Sequence, residues 1–289
     1  MRRLFLSGLM ALAVTGGAIA QDAHPALWTV HGPRGTVTLI ASLHLLPPGT
    51  NWHNPAIDGA MRSADSFVFE VPTGMSERDE ETRFIIDNGL LPRGETLSAL
   101  LDDEASKRDY RRALTLAGME AGTIDQKQPW LAEVVLTVQS MYRRNYSADH
   151  TPEGEAHDFA VTHARDIRYL DTTRQQLEFL AGADPSRGVT QLKTVLADFP
   201  NQAAREQRFV DAWAGGDLDA SAALIAAGLH DLPDESRRLQ ERNRDWTRQI
   251  EAMLTESRSF FVAVGIAHLA GPRGLPALLR ADGYKVDGP

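Results

Sequence analysis

Val262-Ala263-Val264-Gly265-Ile266-Ala267-His268-Leu269, followed by Pro272 and Gly274, is an apolar run that ends on a histidine and a turn. A matching stretch stands near the other end of the chain: Leu39-Ile40-Ala41-Ser42-Leu43-His44-Leu45, followed by Pro48 and Gly49. Each reads as a buried strand, a small residue, two spacers, a histidine, a leucine and a loop. Strands from opposite ends of a chain can be neighbours in one sheet. Both imidazoles then face one crevice, and two converging histidines suggest a metal or an acid–base site.

Working outward, Leu27 to Val30 and Thr36 to Leu43 flank Gly32-Pro33-Arg34-Gly35, which predicts a β-hairpin. A short helix is expected at about Pro55 to Ser63, and Ser66 to Val71 reads as a strand stopped by Pro72. From about Thr96 helical periodicity dominates, broken by one short strand at Ile167 to Leu170. A long helix from about Glu235 to Thr255 leads into the strand Ser259 to Gly265, a helix after Gly274 and a last strand at Tyr284 to Val286. The fold class expected is α/β, with a central mixed sheet built from N- and C-terminal strands and a long helical insert. The domain would span 21–289, with about 96–255 as the mostly helical insert.

The first 20 residues read as a secretory signal peptide. Arg2-Arg3 form a positive start, Leu4 to Val14 is apolar, and Ala18-Ile19-Ala20 is a small-x-small cleavage site. The apolar run is shorter than the roughly 20 residues of a spanning helix. The expectation is an exported, periplasmic or secreted protein with no stable membrane anchor after cleavage. There is no cysteine, which excludes disulfides, a thiol nucleophile and Cys-ligated zinc. Loss of the two leader arginines takes the net charge from −9 to −11. An acidic surface argues against nucleic acid as a partner.

Three residues at expected strand ends form the candidate site. His44 and His268 end apolar strands, and Glu70 follows three apolar residues in a third. Sites in open α/β sheets form at the carboxyl ends of strands. Two histidines and one carboxylate placed there make a two-His-one-carboxylate metal site. Taken singly, each residue reads more simply as a hydrogen-bonded rim histidine or a solvated strand end. Their joint occurrence favours function. On the long helix, Arg242 and Asn243 lie three or four residues from Leu239 and Trp246, beside its apolar stripe. A half-buried arginine needs a carboxylate or an anion. Beside a metal site it would orient Glu70 or stabilise an oxyanion. Thr151-Pro152 starts a helix, and Glu155, His157 and Asp158 read as ordinary polar residues of its first turns. There is no nucleophile elbow, phosphate loop, dinucleotide fingerprint or His-Glu-x-x-His helix.

These residues resemble the TraB/GumN family, which includes the Tiki proteins. The likeness rests on two Gly-x-x-His motifs, here Ala41-Ser42-Leu43-His44 and Gly265-Ile266-Ala267-His268, and on Glu70 closing a strand between them. Interior landmarks agree: Pro129-Trp130, Leu170-Asp171-Thr172 with Gln175-Gln176-Leu177, Trp213 with Gly216-Asp217, and Arg242-Asn243 with Trp246. The C-terminal run from Phe261 to Val286 is the most specific. The resemblance implies a metal-dependent hydrolase fold related to erythromycin-esterase-like proteins. Tiki members act as metal-dependent proteases that trim peptide N-termini, and some bacterial members are linked to peptide pheromone inactivation. The chain departs from the pattern at Ala41, where the family has Gly, and at Asp171, where many members have Glu.

The expected function is therefore an exported metal-dependent hydrolase, peptidase-like, acting on a peptide or other small envelope substrate. His44, Glu70 and His268 would hold a divalent metal ion such as manganese, cobalt or zinc. Glu70, Arg242 and Asn243 would act on the reacting groups. The alternatives are a metal-independent esterase or amidase using Glu70 and a histidine, and a catalytically silent binding or assembly factor for envelope polysaccharide or peptide.

Overall fold

A computed structural model describes residues 21–72, 75–120, 122–182, 185–230 and 232–289. The proposed signal peptide, residues 1–20, lies outside the described residues. The order of elements begins with β1 (Gln21–Asp22), β2 (Leu27–His31), β3 (Thr36–Ser42), β4 (Thr50–Asn51), α1 (Pro55–Ser63) and β5 (Ser66–Phe69). Then come α2 (Met75–Asn88), α3 (Leu97–Leu100), α4 (Glu104–Ala117), α5 (Pro129–Arg143), α6 (Pro152–Thr162) and β6 (Asp166–Tyr169). They are followed by α7 (Thr173–Ala181), α8 (Gly188–Asp198), α9 (Gln202–Ala214), α10 (Leu218–Gly228) and α11 (Pro233–Leu254). The chain closes with β7 (Ser259–Gly265), α12 (Leu275–Ala281) and β8 (Lys285–Asp287).

The molecule is α/β, with a mixed six-stranded sheet in the order β6-β5-β7-β3-β2-β8. The C-terminal strand β7 lies between β5 and β3 and is parallel to both. β2 and β3 form the expected antiparallel hairpin, closed where Gly32 N–H donates to Gly35 O at 2.9 Å. Both turn glycines lie against the end of α11. A Cβ on Gly32 would meet the Leu254 backbone at 2.5 Å, so the close approach admits no side chain. The central strands are buried on both faces, as helices packed on a parallel sheet require, and this is why they read as continuous apolar runs. Helix α6 packs on β5, β3 and β7, α11 on β3, α1 on β7 and α12 on β2.

The segment between β5 and β7 is mainly helical and starts at Met75, earlier than the sequence suggests. It returns a strand, β6, to the sheet edge parallel to β5. A second apolar cluster lies within it, formed by Leu97, Tyr110, Ile124, Leu136, Leu192 and Phe199 among others. Among the described residues no helix is long and apolar enough to cross a membrane.

Candidate functional site

Parallel pairing decides where the chemistry sits. Ser42 of β3 is opposite Gly265 of β7, so the two matching stretches leave the sheet at the same end. His44 follows two residues after Ser42. His268 follows three residues after Gly265, in a single 3-10 turn. Glu70 follows β5 directly, and its Oε1 accepts the Gly265 N–H at 2.7 Å. The three strand-end residues therefore leave the sheet at the same carboxyl edge, where open α/β sheets build their sites.

Their environments differ. Glu70 is 2% exposed and His268 5% exposed, whereas the His44 side chain is 62% exposed at the rim. His44 Nδ1 lies 3.0 Å from Glu153 Oε2, at the first turn of α6. A carboxylate only accepts, so Nδ1 carries a proton. The hydrogen bond to Glu153 raises the His44 pKa to about 9, aided by the charges of Glu70 and Glu153 and opposed by burial. Water reaches this ring over most of its surface and screens the pair. His268 Nδ1 lies 2.6 Å from Asn243 Oδ1. The Asn243 amide donates to Arg273 O at 2.8 Å, which fixes its oxygen toward the imidazole. Nδ1 of His268 is therefore the donor. Burial lowers the His268 pKa to about 4, with Arg242 and His44 acting in the same direction and Glu70 against them. His268 is neutral at neutral pH, and its lone pair is on Nε2. Neither Nε2 makes a hydrogen bond among the described residues.

Arg242 is 8% exposed, on the buried face of α11. Its Nε donates to Asp171 Oδ2 at 2.6 Å and its Nη2 to Gln176 Oε1 at 2.6 Å. Nη2 is also 3.8 Å from Glu70 Oε2. Asn243 has its oxygen engaged by His268 and one amide N–H by Arg273 O, so it orients the imidazole. Sequence reasoning passed over Glu153. It named only Glu155, His157 and Asp158 on that helix, and an acidic first turn is ordinary. The available signal was the Thr151 cap, which fixes where the first turn points: Thr151 Oγ1 accepts the Gly154 N–H at 3.0 Å.

A cavity of about 470 Å³ opens beside His44 and Glu70, lined also by Glu153, His157 and Gln176, while His268, Arg242 and Asn243 lie behind its wall. A second cavity of similar volume lies at the amino ends of β5, β6 and β7. Its Arg165 and Arg258 are balanced by Asp65 and Asp166, and it contains none of the sequence-identified residues.

The donor chemistry fits a divalent metal. Ligating histidines characteristically donate from their other ring nitrogen to an oxygen acceptor, and both imidazoles do so here. Gly265 keeps the space between Glu70 and His44 free: a Cβ there would lie 3.2 Å from Glu70 Oε1 and 3.6 Å from His44 Nε2. Convergence is less complete. Among the described residues no group of three or more His, Asp or Glu side chains is arranged to hold a metal ion.

No curated protein and no solved structure matches the chain. The model of the TraB/PrgY/gumN family matches residues 26–288, nearly the whole chain, including both histidine stretches, Glu70 and the Arg242–Asn243 pair. The chain belongs to the TraB/PrgY/gumN family.

Proposed function

We propose that the cleft is the active site of an exported, metal-dependent hydrolase acting on peptide bonds. The observation that carries this reading is the matched treatment of the two strand-end histidines. Each has Nδ1 held by an oxygen acceptor and Nε2 unbonded, beside a buried glutamate. His44, Glu70 and His268 would hold the ion. A divalent metal, when bound, supplies Lewis acidity: it lowers the pKa of a water and polarises the scissile carbonyl. The chain's own residues do the rest. Glu153 and Asn243 orient the imidazoles. Arg242 steadies Glu70, and its Nη1, which makes no hydrogen bond among the described residues, is the nitrogen available to a developing oxyanion. The peptide substrate comes from the resemblance to the Tiki proteins, not from the shape of the cleft.

The test combines binding and turnover. Titration calorimetry with manganese, cobalt and zinc should show one site in the wild type, lost in His268→Ala. A peptide library read by mass spectrometry should show cleavage that chelator abolishes. Glu70→Gln, nearly isosteric, should lower cleavage by about 10²–10⁴-fold. Full binding in both His44→Ala and His268→Ala would refute the metal site. N-terminal sequencing of envelope-derived protein should begin at Gln21, and an intact Met1 in the cytoplasm would refute export.

The raised pKa of His44 favours a second reading. A protonated His44 donating to a leaving group, with Glu70 as base, is an esterase or amidase without metal. Cleavage that persists in chelator selects it. Absence of cleavage under every condition, with Glu70→Gln replacing the wild type in cells, selects a binding or assembly factor.

A further inference from the structure

Asp171 lies two residues past the end of β6, after Leu170, and its side chain is 10% exposed. Its backbone is fixed from both sides. Asp171 N–H donates to Glu70 O at 2.8 Å, and the next residue, Thr172, caps α7 in a reciprocal box with Gln175. The carboxylate then faces α11 with both oxygens in use. Oδ2 accepts from Arg242 Nε at 2.6 Å, and Oδ1 accepts from Trp246 Nε1 at 3.0 Å. Arg242 and Trp246 are one helical turn apart, and the guanidinium lies 4.5 Å from the indole centroid.

Each of these two side chains faces a different member of the cleft. Arg242 Nη2 is 3.8 Å from Glu70 Oε2. The Trp246 ring packs against the His268 imidazole with centroids 4.1 Å apart. One acceptor-only group thus stands behind both the glutamate and the buried histidine. We propose that Asp171 is a positioning residue of this cleft: its two oxygens set Arg242 against Glu70 and Trp246 against His268 as one unit. The inference rests on the hydrolase reading of the same site. Only a carboxylate serves both donors at once. An asparagine turns its NH₂ toward one of them, donor against donor, and releases it.

The experiment uses the full chain at one neutral pH. Ring ¹⁵N signals of His268 are recorded in chelator and assigned with His268→Gln, and zinc binding is measured by calorimetry. In Asp171→Asn the His268 signals should move and zinc affinity should fall about 10- to 100-fold, the range for loss of an outer-shell partner. Asp171→Glu, which keeps the charge and both acceptors, should recover most of the affinity. Gln249→Ala, which removes only a bond from α11 to Leu170 O, should leave both readouts at the wild-type level. If Asp171→Asn does not fold, the change is made in Arg242→Gln, where no buried guanidinium is stranded, and read against that background. Unmoved His268 signals in the folded variant overturn the inference, whether or not zinc binds. Failure of the wild type to bind any metal overturns the metal site alone, and the His268 signals still decide Asp171.

Discussion

At the scale of single residues, Gly265 and Ala41 open the two matching stretches and do different things. Gly265 has φ −58° and ψ 141°, which any residue adopts. Its lack of a side chain concerns space: a Cβ would press on Glu70 Oε1 at 3.2 Å and approach His44 Nε2 at 3.6 Å. Gly265→Ala should therefore fold normally, with a thermal midpoint near that of the wild type. It should displace Glu70 by a few tenths of an ångström and weaken zinc binding on the order of 10-fold. Unaltered affinity would show that the gap is no part of the site. Ala41 is the penultimate residue of β3, opposite Val264 and fully buried, and its carbonyl accepts from Trp213 Nε1 at 2.9 Å. Its φ is not positive, since among the described non-glycine residues only Asn145 and Ala164 have positive φ. The departure from the family glycine thus places a methyl in the core and imposes no strain. Ala41→Gly should lower stability by roughly 0.5–1 kcal/mol and leave metal affinity as it was. Denaturant titration beside calorimetry separates the two effects, and a gain in affinity would overturn this view of position 41.

At the scale of elements, α11 and the Thr151-Pro152 start of α6 were both legible, but what α6 brings to the strand ends was not. A helix with Leu239, Trp246, Ile250 and Leu254 on one stripe must turn that stripe inward. Arg242 and Asn243 go with it, and both are buried. Their partners were not legible, because Asp171 and Arg273 come from other segments and no local period announces them. Helix α6 hides its contribution for another reason. Glu153 sits in an acidic first turn, where a carboxylate needs no further explanation. Only pairing across a sequence separation of 109 residues gives it His44. The neighbouring Glu155 is likewise held by His53 Nε2 at 2.8 Å, so the segment after β3 is tied twice to this one turn. If Glu153 is what raises His44, Glu153→Gln should bring the His44 pKa down from about 9 toward its ordinary value of 6.5. An NMR titration of the ring in chelator measures it. A value that stays high would assign the rise to Glu70 instead.

At the scale of the whole molecule, sequence order and spatial order diverge in a way that apolar runs alone anticipate. The last long strand, β7, lies in the middle of the sheet, between strands from the first quarter of the chain. Its neighbours share the signature of burial on both faces, which is why the sheet and its site edge were readable. The β1–β4 pair was missed because two residues carry no period. The insert's early start was missed because α2 is polar on most of its surface and buries little. One consequence of the interleaving is that the cleft histidines report on global unfolding, and they do so with opposite sign. His268 is held neutral by burial, its pKa lowered from 6.5 to about 4. Between those values the unfolded chain binds a proton that the folded one refuses, so stability falls as pH drops. The loss approaches on the order of 3 kcal/mol near pH 4. His44 is raised to about 9, so its contribution is full below 6.5 and is lost as pH rises through 9; its exposure keeps that loss smaller. The two histidines together favour maximal metal-free stability near pH 6.5. Urea unfolding in chelator from pH 4 to 9 should show this maximum in the wild type. His268→Gln, whose amide can still donate to Asn243, should lose much of the acid limb and keep the alkaline one. The same acid limb in both proteins would assign the sensitivity to carboxylates elsewhere in the chain.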